Sequence, residues 1–206
     1  MARAYSIKDI LSKKYETLEF EGIWEKAVGK PQKAAIWFVM APPKSGKTTF
    51  TMMLSKYLTN FLRVAYNFIE EGTEMTTQNV LIRLNMEEVS GKMIVIEKEP
   101  FDELVIRLKK HKSPAVVVID SIQFMELTFK QYKYLKETFP TKSFILVSHM
   151  DGNKPDGNAA VRMRRDADVT FKIEGFRAFP TSRYGGEGIT IDIDAEKAEA
   201  YWGLKA

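Results

Sequence analysis

Ile36-Trp37-Phe38-Val39-Met40-Ala41-Pro42-Pro43-Lys44-Ser45-Gly46-Lys47-Thr48-Thr49-Phe50 is the stretch from which the rest of this 206-residue chain can be read. An apolar run rich in β-formers enters a proline-marked turn, and the turn ends in Gly-Lys-Thr-Thr. Apolar residues then recur at Phe50, Met53, Leu54, Tyr57, Leu58 and Phe61, the spacing of one helix face. Strand, small loop and helix in this order are the setting that a Walker A phosphate loop requires. Backbone N–H groups at a helix start attract anionic oxygens, and the helix dipole adds to the pull. Ala41, Pro42, Pro43, Lys44, Ser45, Gly46, Lys47, Thr48 and Thr49 are therefore the candidate ATP-phosphate contacts. Gly46, without a Cβ, permits close approach of the backbone. Lys47 is the residue to reach the β- and γ-phosphates, and the Thr48 hydroxyl the one to hold Mg²⁺. The motif's first glycine is Ala41 here. If that position needs a positive φ, alanine strains the loop.

Composition narrows the classes. The chain is 45% hydrophobic and 12% aromatic, enough for a full core in one domain of ordinary size. A net charge of +4 and a pI near 9.0 are compatible with nucleic acid or an acidic partner, and equally with solvated lysines on helix faces. The absence of cysteine excludes disulfides, thiolate chemistry and cysteine-zinc sites, which suits a reducing cytoplasm. With His111 and His149 as the only histidines, a histidine metal centre is not expected. The N-terminus lacks the apolar core of a signal peptide, and no apolar run approaches the roughly 20 residues that span a bilayer. The expectation is a soluble cytoplasmic protein without a membrane partner.

Two units are expected along the chain: a helical arm over residues 1–32 and a core over 33–206. In the arm, Ser6 is placed to cap a helix through Lys14, and a second helix presents Phe20, Trp24 and Val28 before Gly29 and Pro31 stop it. From Ala34 strands and helices alternate. The runs Leu62–Ile69, Met93–Ile96, Ala115–Ile119 and Phe144–Val147 read as strands, and helices fall at Thr76–Met86, around Phe101–Leu108 and at Thr128–Glu137. Such alternation predicts a parallel sheet. The tail differs: Val169–Ile173, Phe176–Arg183, Ile189–Ile193 and Ala200–Trp202 read as short strands without helices between them, an antiparallel extension. Asp151 to Asn158 reads as the most mobile internal loop.

Ala115 to Asp120 has the form of a Walker B strand, buried apolar residues ending in an acid at the carboxyl edge of the sheet. Asp120 is the second candidate for Mg²⁺. A hydrolase also needs a carboxylate to polarise water, and the residue after Asp120 is Ser121. The candidates become Glu70 and Glu71, at the end of the strand after the phosphate-loop helix; the plain alternative is two solvated acids in a turn.

The order of Walker A, strand-ending glutamate and Walker B without a second acid resembles the RecA-like ATPases. It is most similar to the DnaB-type replicative helicases and the RadA (Sms) recombination ATPases. The stretches Val64-Ala65-Tyr66 with Glu70-Glu71, Val117 to Gln123, Arg165 to Val169 and Ser182 to Gly188 carry the resemblance, over about residues 34–193. It implies an α/β fold with a mostly parallel central sheet, helices on both faces and an antiparallel C-terminal extension. By position it implies Glu70 as the catalytic glutamate. His149 takes the place of the sensor that couples γ-phosphate to the DNA-binding loops, its alternative being a histidine that merely closes a strand. Arg183 stands where the family has an arginine reaching the γ-phosphate of an adjacent subunit, the alternative being a solvated cation. The lysine paired with it in the family is Thr181 here, which halves that charge. A loop from Met150 to Arg165 would face DNA with Lys154, Arg162, Arg164 and Arg165.

The sequence thus predicts a Mg²⁺-dependent ATPase that works on single-stranded or duplex DNA as a homo-oligomeric ring or filament. The alternative is an ATP-binding switch that recruits a protein partner and hydrolyses little, which Ala41 and Thr181 favour. A small-molecule P-loop kinase fits less well, because the antiparallel tail is not an arginine-rich lid.

Overall fold

The computed structural model describes residues 4–203; the first three residues of the expected arm and the last three of the expected core lie outside the described residues. Strand β1 (Ile36–Ala41) is buried at every position. Its alternate side chains supply two different cores. Trp37, Val39 and Ala41 face one, and Ile36, Phe38 and Met40 face the other. A strand with both faces covered needs no polar alternation, which is why it reads as an unbroken apolar run.

β2 (Val64–Phe68), β3 (Met93–Glu97), β4 (Val116–Asp120) and β5 (Ser143–Asp151) complete a parallel array with β1. β7 (Val169–Glu174) joins β1 on its other side, also parallel, after a two-residue strand β6 (Lys154–Pro155) that pairs with the end of β5. β8 (Arg177–Ser182) and β9 (Ile191–Asp192) then pair antiparallel, giving the order β3-β2-β4-β5-β1-β7-β8-β9. β5 therefore lies between β1 and β4, and the carboxyl ends of all three meet at one edge.

Helices cover both faces. α2 (Gly22–Val28) and α3 (Lys47–Leu58) pack on the first core through Trp24, Val28, Phe50, Met52, Leu54 and Leu58. α4 (Met75–Arg83) lies on the same side and is followed by a turn of 3₁₀-helix over Met86–Val89. α5 (Phe101–Lys109), α6 (Phe129–Thr138) and α7 (Asn158–Asp166) cover the second core with Leu104, Leu108, Tyr132, Leu135, Ala160 and Met163. In the N-terminal segment, α1 (Ile7–Leu11) is capped by a reciprocal Ser6–Asp9 pair and buries no side chain. Leu18, Phe20 and Trp24, by contrast, belong to the first core.

Three expectations change. Residues 158–166, read as part of a mobile loop, form α7, because Ala160 and Met163 at i, i+3 are buried against the sheet. Ala200 to Trp202 is not a strand; it belongs to α8 (Ala195–Gly203), whose Tyr201 ring occupies the space a Cβ on Gly175 would need. β3, whose apolar run Met93–Ile96 suggests a strand buried on both faces, is an edge strand with Val95 exposed. No described helix is long and apolar enough to cross a membrane.

Phe50 is fully buried in the first turn of α3, its ring 4.7 Å from that of Phe171 and 6.0 Å from that of Trp24. Replacing it by alanine is expected to cost about 3–5 kcal/mol of stability, read from urea unfolding midpoints.

Candidate functional site

β1 ends at Ala41, which pairs with His149 of β5, and Pro42 begins the turn that leads into α3. Ala41 is an ordinary strand residue. The left-handed backbone lies further on, at Lys44 with φ 60° and Gly46 with φ 94°. The expected strain at Ala41 is therefore absent, since the conformation that disfavours a Cβ falls elsewhere. Gly46 also needs its small size: a Cβ there would stand 3.3 Å from the Ile193 side chain and 3.4 Å from the Phe176 ring. Within the turn, Ser45 donates to the Pro42 carbonyl at 2.7 Å, which holds the loop in a tight curve. Left-handed residues at a helix start give the successive N–H groups the concave arrangement of an anion nest.

Lys47 opens α3, and its ammonium sits among the ends of three strands. Glu70 Oε2 is 3.4 Å away, Asp120 Oδ1 3.5 Å and His149 Nε2 3.5 Å. Glu70 Oε2 lies 2.8 Å from His149 Nε2. The backbone explains the convergence. Ile69 and Glu70 donate their N–H groups to the Asp120 carbonyl, so the chain leaving β2 folds across the end of β4. Ile122 in turn donates to Val147, carrying the chain after β4 over β5. The peptide between Asp120 and Ser121 is cis.

Of the two glutamates weighed at the end of β2, Glu70 faces Lys47 and His149, while Glu71 is solvent-exposed. Burial alone would push the Glu70 carboxyl up. The Lys47 charge and the His149 hydrogen bond outweigh it and hold the group below its ordinary value. Asp120 is buried, and burial pushes its carboxyl up against the opposing pull of Lys47 and of the Tyr66 hydrogen bond. Tyr66 OH donates to Asp120 Oδ2 at 2.6 Å from inside β2. Thr48 lies in the first turn of α3, and Arg83 donates to the neighbouring Thr49 hydroxyl at 2.7 Å.

Arg183 is not part of this cluster. It follows β8, whose last residue Ser182 pairs with Val169, and Val169 pairs with Trp37 near the start of β1. The length of β1 thus separates Arg183 from the phosphate loop on its own chain. Its guanidinium donates to the Arg165 carbonyl at 3.3 Å and lies 3.7 Å from Asp168. Lys154, Arg164, Arg165 and Arg183 line a groove of about 500 Å³ between α7 and the β7–β8 pair. Arg162 instead stacks over the Phe129 ring at 3.8 Å, on the α6 side of α7.

Sequence reasoning missed Tyr66, Gln123 and Arg83. A tyrosine within an apolar strand carries no local sign that its hydroxyl will meet an acid two strands' worth of chain later. Gln123 donates to Ser148 Oγ at 2.8 Å and to the Asp156 carbonyl at 2.9 Å, and accepts from the His149 N–H at 3.2 Å.

No protein-family model matches the chain. Transcription termination factor Rho of Borreliella burgdorferi is 29% identical over 135 residues, which cover 61% of this chain and 24% of Rho. The chain thus spans about a quarter of that curated relative. Among solved structures, the flagellar accessory protein FlaH of Methanocaldococcus jannaschii superposes with a TM-score of 0.60 at 15% identity, covering 88% of this chain and 96% of FlaH. A KaiC-like protein of Pyrococcus horikoshii gives 0.61 at 14% identity, over 82% of this chain and 88% of its own. These likenesses establish the fold: a RecA-like α/β core, with a tight turn between its first strand and the following helix.

The depressed Glu70 value fixes a sign. A carboxyl held below its ordinary value of 4.5 stabilises the fold above that pH, and the contribution is lost as pH falls through the depressed value. Wild type is expected to be more thermostable than Glu70→Gln near neutral pH, with the gap narrowing as pH falls below the ordinary carboxyl value. A gap independent of pH would contradict the pairing.

Proposed function

We propose that this chain is a Mg²⁺-dependent ATPase whose RecA-like core works on DNA as a homo-oligomer. The observation that carries the reading is the Lys47 ammonium held 3.4–3.5 Å from Glu70, Asp120 and His149 beside a left-handed glycine turn. A lysine so balanced can exchange carboxylate partners for phosphate oxygens without ever being buried unpaired. The turn from Ala41 to Thr49 supplies the backbone N–H groups that cradle the phosphates. Glu70, still paired with His149, is then a carboxylate free to orient water, which is general-base work. His149 links that carboxylate to β5 and so to the hairpin beyond it.

The residues present suit Mg²⁺. Among the described residues no three His, Asp or Glu side chains converge as a cation cage. Asp120 is buried with its carboxylate 3.5 Å from Lys47, and Thr48 follows Lys47 in the first turn of α3; one acid and one hydroxyl are instead what an ion held mainly by phosphates needs. Thr48 and Asp120 would hold it, and the ion when bound would neutralise the charge of the transferred phosphoryl group.

Arg183, remote from its own phosphate loop, would serve the site of a neighbouring subunit, which requires an assembly. The segment of residues 1–32, with Ile7 and Leu11 about four-fifths exposed, would link subunits. Lys154, Arg164 and Arg165 would neutralise DNA phosphates along the groove beside α7, with Arg162 on its flank. These positions lie on a helix and a short hairpin rather than on the loop the sequence suggested.

The second reading is an ATP-binding switch with little hydrolysis. Thr181, paired with Thr170 in the sheet, supports it by leaving Arg183 as the lone cation of the expected pair.

ATP turnover measured with and without single-stranded DNA, across protein concentration, tests both readings. The ATPase reading expects turnover that DNA stimulates and that rises per subunit with concentration. It expects losses of about a hundredfold or more in Glu70→Gln and in Arg183→Ala. ATP bound but unhydrolysed, with DNA and both substitutions silent, would leave the switch.

A further inference from the structure

Gln123 is the side chain through which three separate segments meet. It lies three residues beyond Asp120, at the carboxyl edge of the sheet, and its amide is used at both ends. Nε2 donates to Ser148 Oγ at 2.8 Å and to the Asp156 carbonyl at 2.9 Å, and Oε1 accepts the His149 N–H at 3.2 Å. This arrangement has one sense. Turning the amide over would set its oxygen against the Asp156 carbonyl and its N–H against the His149 N–H, replacing two bonds by two repulsions.

The backbone of His149 is fixed on its other side as well. Its carbonyl accepts from the Asp156 N–H at 3.0 Å and from Ser148 Oγ at 2.8 Å. With N–H and C=O both committed, the ring has little freedom except rotation about its own side-chain bonds. That ring is the group 2.8 Å from Glu70 Oε2. Asp156, at the other end of the same amide, closes the turn between β6 and α7. One glutamine side chain therefore joins the strand end that carries the imidazole to the turn that leads into α7.

We propose that Gln123 is a positioning residue: it sets the His149–Glu70 pair and ties that pair to the turn that precedes α7. The proposal rests on the reading of Glu70 as the water-orienting carboxylate. Gln123 touches neither phosphate nor water itself. Displacement of the turn acts on the Glu70 carboxylate through this amide, and loss of the amide leaves only the Asp156–His149 backbone bond and the β5–β6 pairing between them. Misplacing a catalytic group by about 1 Å costs on the order of a hundredfold in rate while leaving distant contacts to substrate intact.

The test uses Gln123→Ala and Gln123→Glu beside wild type and Glu70→Gln. Gln123→Ala is expected to lower kcat by about tenfold to a hundredfold with KM for ATP within about twofold, because the phosphate loop is untouched. Glutamate keeps the length and an acceptor for the His149 N–H but sets an oxygen against the Asp156 carbonyl. It is expected to lose nearly as much as alanine. Full activity in Gln123→Glu would overturn the tie to the Asp156 turn. An unchanged kcat in Gln123→Ala, with wild type active and Glu70→Gln dead, would overturn the proposal while sparing the reading of Glu70.

A second measurement does not depend on turnover. The chain has two histidines, and His111 lies exposed in the turn before β4. In two-dimensional imidazole NMR spectra at one pH, the His149 signals of Gln123→Ala are expected to move toward their place in Glu70→Gln while those of His111 stay. If wild type hydrolyses no ATP, the reading of Glu70 fails, and this displacement alone decides whether Gln123 positions the pair. His149 signals unmoved in Gln123→Ala would overturn the proposal.

Discussion

The burial of β1 on both faces is the constraint from which the rest of the molecule follows. None of its side chains from Ile36 to Ala41 reaches solvent appreciably, and they alternate between two cores. A strand so placed must be central and must have helices above and below it. It must also release its chain at the sheet edge, where the next residues turn into α3. The turn into α3 is thus delivered to the same edge at which β2, β4 and β5 end. Four strand ends at one edge bring Lys47, Glu70, Asp120 and His149 together although residues 47 and 149 are far apart in the chain.

Charge then organises that edge. Two carboxylates and an imidazole surround one ammonium, and Tyr66 satisfies the remaining oxygen of the buried Asp120. Each group on its own would be costly to bury, and together they are mutually satisfied. Lys47 is thus balanced by partners on three sides rather than buried unpaired. The same edge is continuous, through Gln123 and Asp156, with the turn before α7. The cationic groove runs beside that helix, lined by Lys154, Arg164, Arg165 and Arg183.

Much of this was legible in the sequence, and the reasons are physical. Strands covered on both faces must be apolar throughout, so β1, β2, β4 and β5 announce themselves. The turn from β1 into α3 is local, so its residues can be named from a short window. The strand-end acids Glu70 and Asp120 follow from where such strands stop. What could not be read is long-range or depends on tertiary packing. Tyr66 meets Asp120 across 54 positions of sequence, and Gln123 meets Asp156 across 33. The run from Ala200 to Trp202 reads as a strand in isolation. It is helical because Tyr201 seats on Gly175 and the Trp202 ring lies 5.4 Å from that of Phe179. α7 was hidden because its polar residues outnumber the Ala160 and Met163 that hold it down. The strain expected at Ala41 belongs to Lys44 and Gly46, a distinction that only backbone angles make.

The most direct measurement of the central claim is calorimetric titration of wild type and Lys47→Ala with ATP and with AMP, each in the presence of Mg²⁺. If the Lys47 cluster is a triphosphate site, wild type binds ATP at least about tenfold more tightly than AMP, a difference of about 1.4 kcal/mol. Lys47→Ala then erases that preference by weakening ATP binding alone. Equal affinity for the two nucleotides, or ATP binding indifferent to Lys47→Ala, would contradict the account.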